Sequence, residues 1–402
     1  TREDLDIILK EMAKTGKEPI GSMGTDTPIA VLSEKPQHLS AYFKQLFAQV
    51  TNPPIDPLRE RLVMSLATVI GASNNLLVED SKAAHCITLS HPILNNENLE
   101  KIRSIDTGIF QSKTIQTYFK ADGKAGVMKK ALDRICRYAM DAVEDGFQIL
   151  ILSDRGIDSE HAAIPSLLAC SAIHHHLIRN GVRGRIGIIV EAGDVSEVHH
   201  FACLLGFGAT AINPYLALST IREMKISGEI DSDLDIEYLK KNYFKSINDG
   251  LLKIFSKMGI STLQSYQGAQ IFEILGIQNS VVNQYFTGAI SRIEGLGLDE
   301  IAREALIKHY SAYKSPLLEM VLPEGGVYQW KKKGEYHMYN PETVHLLQLS
   351  TQRNDYQMFK KYSLAADNHG EKACTIRSLL KFKNDRNSIK IDEVEPIESI
   401  MT

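Results

Sequence analysis

The chain has 402 residues, 44% hydrophobic and 23% charged, enough to bury a large core and to fill more than one domain. A net charge of -4 and a pI near 6.4 give no electrostatic case for nucleic-acid binding. No apolar run approaches the roughly eighteen residues that span a bilayer and no charged-then-apolar leader is visible, so the expectation is a soluble, cytoplasmic protein.

In chain order, TREDLDIILKEM reads as a charged amphipathic helix, a better account of Thr1 than a nucleophile activated by its own amine. GSMGTDTPIA, with Gly21, Gly24 and Pro28, reads as a loop, and TNPPIDPLRERL as a proline bend entering a helix whose first turn holds Pro57. HCITLSHP suggests a short strand closed by Pro92. The middle of the chain then alternates. Strand-length apolar runs at 147–152, 186–190 and 210–212 end in SDRG, EAG and NPY, and helices are expected near 165–180 and 195–205, stopped by Gly181 and Gly206. Strand, helix, strand with short connections implies parallel pairing and right-handed crossovers. The fold class is α/β, with parallel βα units forming a sheet or a partial, degenerate barrel surrounded by helices. Helical spacing of Ile236, Leu239, Tyr243, Ile247, Leu251, Ile254 and Met258 predicts a long helix before Gly259, and GISTLQSYQGAQIFEILG a further unit after it. Beyond about Leu322 the composition shifts to Gly, Pro and aromatics around Trp330, which reads as a linker into new structure. ACTIRSLLKF and the alternating NSIKIDEVEP then suggest a helix and a strand. Thr1 is not methionine and EVEPIESIMT carries no capping or turn signal, so a fragment is expected.

Three constellations can carry chemistry. The first is histidine: IHHHLIRNG (173–181) and EVHHFACLLG (197–206). Successive helical residues lie about 100° apart, so His174, His175 and His176 cannot converge on one ion, and metal-binding helices use His at i and i+4. His174 and His175 fall on the apolar side with Leu167, Ile164 and Leu168, and His176 at the rim near Arg179 and Asn180. Hydrogen-bonded packing histidines are the plain reading; a site shared by His174, His175, His199 and His200 stays open. The second is the strand ends, where parallel α/β folds bind ligands, and where Asp154, Arg155, Glu191 and Asn213 fall. Against a nucleotide or flavin site, no Gly-x-Gly-x-x-Gly or Gly-Lys-Ser/Thr loop follows any strand, and the plain reading is helix caps and loop links. The third is GSMGTDTP, whose glycines allow close backbone approach and whose hydroxyls can line a polar passage. The five cysteines, Cys86, Cys136, Cys170, Cys203 and Cys374, lie far apart without a Cys-x-x-Cys and read as reduced thiols.

GSMGTDTPIAVLS, QVTNPPIDPLRE, AAIPSLLACSAIHHHLIR, EVHHFACLLGFGATAINPYLA, GISTLQSYQGAQIFE and GGVYQWKKKGEYHMYNP, in that order from about residue 20 onward, resemble the large chain of glutamate synthase. The resemblance implies a central domain over 1–322, between an amidotransferase domain and an FMN-binding domain of the same parent chain, with 323–402 the opening of the latter. It implies glutamate biosynthesis and nitrogen assimilation: the parent splits glutamine, passes ammonia through an internal tunnel to 2-oxoglutarate, and reduces the resulting 2-iminoglutarate with FMN. Electrons come from ferredoxin or an NAD(P)H-dependent small subunit through a three-iron four-sulfur cluster. No cofactor, metal or catalytic residue is expected in the fragment itself, which is similar to a degenerate flavin barrel and inactive alone. Met23 and Thr51 match positions bordering the ammonia passage. The implied location is the cytoplasm, or the plastid stroma in a photosynthetic eukaryote. The rival readings are a stand-alone metal-dependent hydrolase using the histidine clusters and an FMN barrel oxidoreductase.

Overall fold

The computed structural model describes the chain except residues 47–58, 60–61, 74–76, 79–80, 82–84, 108–109, 232, 314–321, 368–373, 382, 384 and 402. The proline bend with Thr51 and Pro57 therefore lies outside the described residues. The chain divides into two compact units: Thr1–Thr25 with Ile29–Glu335, and Asp26–Pro28 with Tyr336–Thr402.

In the first unit the strands are β1 (Phe43–Gln45), β2 (Thr68–Ile70), β3 (Ile87–Leu89), β4 (Asp106–Thr107), β5 (Phe110–Gln116), β6 (Tyr118–Lys120), β7 (Ile149–Ser153), β8 (His161–Ala163), β9 (Gly187–Glu191), β10 (Ala211–Asn213), β11 (Phe272–Ile277) and β12 (Ile290–Leu296). The helices that matter for the site are α1 (Lys10–Thr15), α2 (Asn96–Arg103), α3 (Val127–Glu144), α4 (Ser166–Arg179), α5 (Val198–Gly206), α6 (Tyr215–Ile226), α7 (Ile236–Met258), α8 (Asn279–Tyr285) and α9 (Leu298–Tyr313).

Strands β5, β7, β9 and β10 lie side by side in chain order and all parallel, with Thr114 opposite Ile151, Ile151 opposite Ile189 and Ile189 opposite Ala211. The βα alternation legible in the sequence is this ladder. It stays open, with β10 at one end and the antiparallel β4 at the other. Every residue of β7 (ILILS) and β9 (GIIVE) is buried, as expected for strands covered on both faces. The helices supply the cover. On α3 the residues Met128, Ala131, Leu132, Ile135, Ala139 and Ala142 recur at three- and four-residue spacing and are all buried. The long helix α7 has the predicted bounds: Asp235 caps it by accepting from Glu237 N, and Gly259 ends it in the left-handed region at φ 70°.

The unit expected at GAQIFEILG forms a strand, but not in the parallel ladder. β11 pairs antiparallel with β1 and parallel with β12 in a separate sheet. Its Phe272 enters an aromatic cluster in which Phe43 and Phe286 lie 4.9 Å apart and Phe207 and Phe272 5.6 Å apart, edge and stacked contacts that hold this sheet against α5.

The second unit holds two helices that the sequence reading did not name, α10 (Pro341–Arg353), whose start falls in the expected linker, and α11 (Tyr356–Asp367). The signal is present in YNPET: Asn340 accepts from Glu342 N and Thr343 N while Pro341 occupies the first helical position. Asp26 joins this unit by accepting from His337 Nδ1 (2.8 Å) and Tyr339 N (2.9 Å). The strand expected in NSIKIDEVEP is absent; the segment is exposed and makes one 3-10 turn at Ile391–Glu393, because alternation specifies a strand only when a partner edge lies beside it. ACTIRSLLKF likewise holds a 3-10 turn at Ile376–Leu379.

Candidate functional site

The strand tips of the parallel ladder gather the charged residues that the sequence places there. Glu191, the last residue of β9, has a fully buried side chain. One carboxylate oxygen accepts from Arg155 Nε at 2.5 Å and the other from Arg103 Nη2, at the end of α2, at 2.8 Å. Arg103 also donates to Thr114 Oγ1 on β5, and the Arg155 guanidinium lies 4.0 Å over the ring of Tyr215. Burial pushes the Glu191 carboxyl up, but hydrogen bonds from Ser153, Arg103 and Arg155 outweigh burial and hold it below the usual carboxylate range. Asn213, at the tip of β10, donates to Leu94 O and Asn96 Oδ1, tying the strand to the start of α2.

Asp154, just beyond β7, is 4% exposed. Its Oδ2 accepts from Gly193 N at 2.8 Å and its Oδ1 is buried without a partner. Burial, then the neighbouring Asp194, push its carboxyl up to about 7, against the pull of Gly193 N–H and the Tyr215 hydroxyl. Asp194 in turn accepts from Ser166 N at 3.0 Å, the first residue of α4. That N-terminus and the Gly193 N–H are where a parallel α/β fold receives a phosphate. Here the chain's own carboxylates stand in those places, and the guanidinium groups are held by Glu191. A flavin phosphate does not fit this arrangement.

The four histidine candidates are engaged separately. His174 Nδ1 accepts from Arg183 Nε at 2.9 Å, and the same guanidinium donates to Ile186 O and Gly208 O. His175 lies edge-on to His174 at 5.0 Å. Burial, then the charge of Arg183 for His174 and of Arg179 for His175, push these imidazoles down to about 3 and about 4. His174 is buried and His176 half-buried at the rim, as the helical wheel predicts; His175 is half-buried with a buried, unpartnered Nε2. Gly208, at φ 104°, passes so close to His174 that a Cβ there would stand 2.1 Å from Nδ1, which accounts for the second glycine of LGFGAT. On α5, His199 Nε2 donates to Ser40 O (3.0 Å) and Phe43 O (3.1 Å). His200 Nδ1 accepts from Ser196 N, and its Nε2 pairs with Glu197 at 3.1 Å. Among the described residues no three His, Cys, Asp or Glu side chains are grouped to hold a metal ion, and the five cysteines form no disulfide.

Sequence reading missed His38. Its ring stacks on His200 at 4.0 Å, Nδ1 accepts from Ser40 N, and Nε2 faces Asp194 at 3.6 Å. Burial and then His200 push it down to about 4. Asp194 and Glu197, which tie His38 and His200 into a common polar cluster, were legible only as loop acids in EAGDVSEVHH. Met23 lies in the 21–25 loop, 97% exposed. Thr51 lies outside the described residues. No described helix is long and apolar enough to cross a membrane.

The family pattern of the glutamate synthase central domain matches residues 1–278. Over 401 residues the chain is 44% identical to the glutamate synthase [NADPH] large chain of Bacillus subtilis, covering all of this chain and 26% of that one. It is 43% identical over 410 residues to the ferredoxin-dependent glutamate synthase 2, chloroplastic, of Arabidopsis thaliana, covering 99% of this chain and 25% of that one. Among solved structures, the flavin-binding domain of baker's yeast flavocytochrome b2 aligns over 81% of this chain and 95% of that one, at 10% identity and a TM-score of 0.36. The chain thus spans about a quarter of the length of the two curated relatives. With a family pattern running through the parallel ladder and both histidine helices, the chain belongs to the glutamate synthase central domain family.

Proposed function

We propose that the chain is the central, ammonia-channelling scaffold of a glutamate synthase large chain, and that it has no reaction centre of its own. The observation that carries this reading is the filling of the strand tips by Asp154, Glu191 and Asp194, which occupy from within the positions a ligand's anionic group takes in a catalytic α/β fold. Residues 1–322 are the central domain and 323–402 the opening of the FMN-binding domain. The parent chain hydrolyses glutamine in one domain and makes L-glutamate from 2-oxoglutarate in another, where FMN and a three-iron four-sulfur cluster supply the reducing electrons. The donor is ferredoxin or an NAD(P)H-dependent subunit, a choice made outside this chain. The parent works in the cytoplasm or the plastid stroma.

Between the two reactions ammonia must travel neutral, so the wall it passes should offer carbonyls and uncharged side chains. Met23 and Thr51 border that passage. An almost fully exposed methionine on a glycine loop is an apolar contact waiting for a covering domain, and the amidotransferase domain is the natural cover. The test is Met23→Glu in the complete large chain, with ammonia released to solution measured against 2-oxoglutarate consumed. A charge at the wall raises the ammonia released per glutamine hydrolysed; an unchanged ratio removes Met23 from the passage.

A further inference from the structure

We infer that Tyr328 is the positioning residue of the 21–25 loop, seating it against a ring anchored by Glu3 and the core; the inference rests on the reading that this loop borders the ammonia passage. The loop does little to anchor itself with apolar side chains. Ile20 and Met23 are 81% and 97% exposed, and Ser22 Oγ donates only to the nearby Gly24 O. What meets the loop from the protein side is the Tyr328 ring. A Cβ on Gly21 would stand 2.4, 2.7 and 2.9 Å from three carbons of that ring, so the Gly21 backbone lies directly on its face. The contact is with the ring's inner carbons rather than the tip of a flexible chain, so a side chain at 21 cannot be accommodated without moving the loop or the tyrosine.

Tyr328 is itself held at several points. Its N–H donates to Glu3 Oε1 at 3.1 Å, within a run in which Val327 N and Gln329 N donate to the same carboxylate at 2.6 and 2.9 Å. The ring packs on the hydrophobic core. The Glu3 carboxylate and the core thus hold the tyrosine ring against the backbone that presents Met23. An aromatic side chain suits this role: it is stiff and its face accepts a glycine backbone.

The experiment uses the complete large chain carrying Tyr328→Ala, which removes the ring, or Gly21→Ala, which crowds it. Tyr238→Ala, at a half-exposed tyrosine on α7, is the control. Two quantities are read: amide exchange over residues 21–25, and 2-oxoglutarate consumed per glutamine hydrolysed. Loss of the ring, or crowding against it, is expected to speed exchange in the loop about tenfold and to lower the consumption ratio, while the control changes neither. Exchange unchanged in both variants overturns the inference. Faster exchange with an unchanged ratio leaves Tyr328 as the anchor of the loop and removes instead the passage role of Met23.

Discussion

Replacing Asp154 by Asn should make the chain more stable at alkaline pH and leave it nearly unaltered only below about pH 4. In the fold this carboxyl ionises at about 7, against an ordinary value of 3.8, because it is 4% exposed and has one oxygen without a partner. The folded chain therefore holds a proton that the unfolded chain has lost across the window between those values. Stability from this group is complete below 3.8 and drains away as pH rises through 7. At about pH 8 the buried charge costs about 4 kcal/mol relative to the protonated group. Asn is never charged and still accepts from Gly193 N, so the variant should gain a few kcal/mol over the parent at about pH 8, roughly half as much at about pH 5, and be within about 1 kcal/mol of it at about pH 4. Urea unfolding followed by circular dichroism at several pH values reads this as a difference in midpoint that widens with pH. Two histidines of α4 titrate with the opposite sign. His174 and His175 are neutral in the fold, and their contribution is lost as pH falls from 6.5 towards about 3 and 4. Both proteins share that loss, so the difference between them isolates Asp154. Parallel midpoints, or a variant weaker at alkaline pH, refute the account of the strand tip given above.

Other substitutions test neighbouring pieces. Glu191→Gln removes the buried counter-charge shared by Arg103, which keeps Glu100, and the partly exposed Arg155, and should cost about 2–3 kcal/mol; added sulfate should recover part of the loss in a melting assay if the carboxylate occupies an anion's place. Arg183→Leu strips His174 Nδ1, Ile186 O and Gly208 O of their donor, with an expected loss of about 3 kcal/mol or more in urea unfolding. Gly208→Ala forces a methyl against His174 at positive φ and should be at least as damaging, whereas an alanine at Gly228, which also has positive φ but open space around it, should cost only about 1–2 kcal/mol.

The parallel ladder was legible because β7 and β9 are unbroken apolar runs of strand length, and α7 because seven apolar residues keep one helical face. The long-range placements were not. Nothing local in HLSAYF says that His38 will stack on a histidine over 160 residues away, and nothing in GAQIFEILG chooses the Phe43 strand over the parallel ladder as its partner. The residues at the strand tips were identified correctly, but their roles depend on Arg103, Tyr215 and Asp194 arriving from other elements. The two histidine clusters were open to a shared site on paper. Separate donors and acceptors keep them apart in the fold: a guanidinium for one, and two backbone carbonyls and a glutamate for the other.

The carboxylate of Glu3 collects three amides from a segment 324 to 326 positions downstream. During synthesis the segment around Glu3 leaves the ribosome long before residues 327–329 exist, so this stitch is sewn late and closes around everything made in between. A nascent chain stalled short of residue 327 keeps the Glu3 segment untied and more open to proteases, and its tightening marks the moment the first unit is complete.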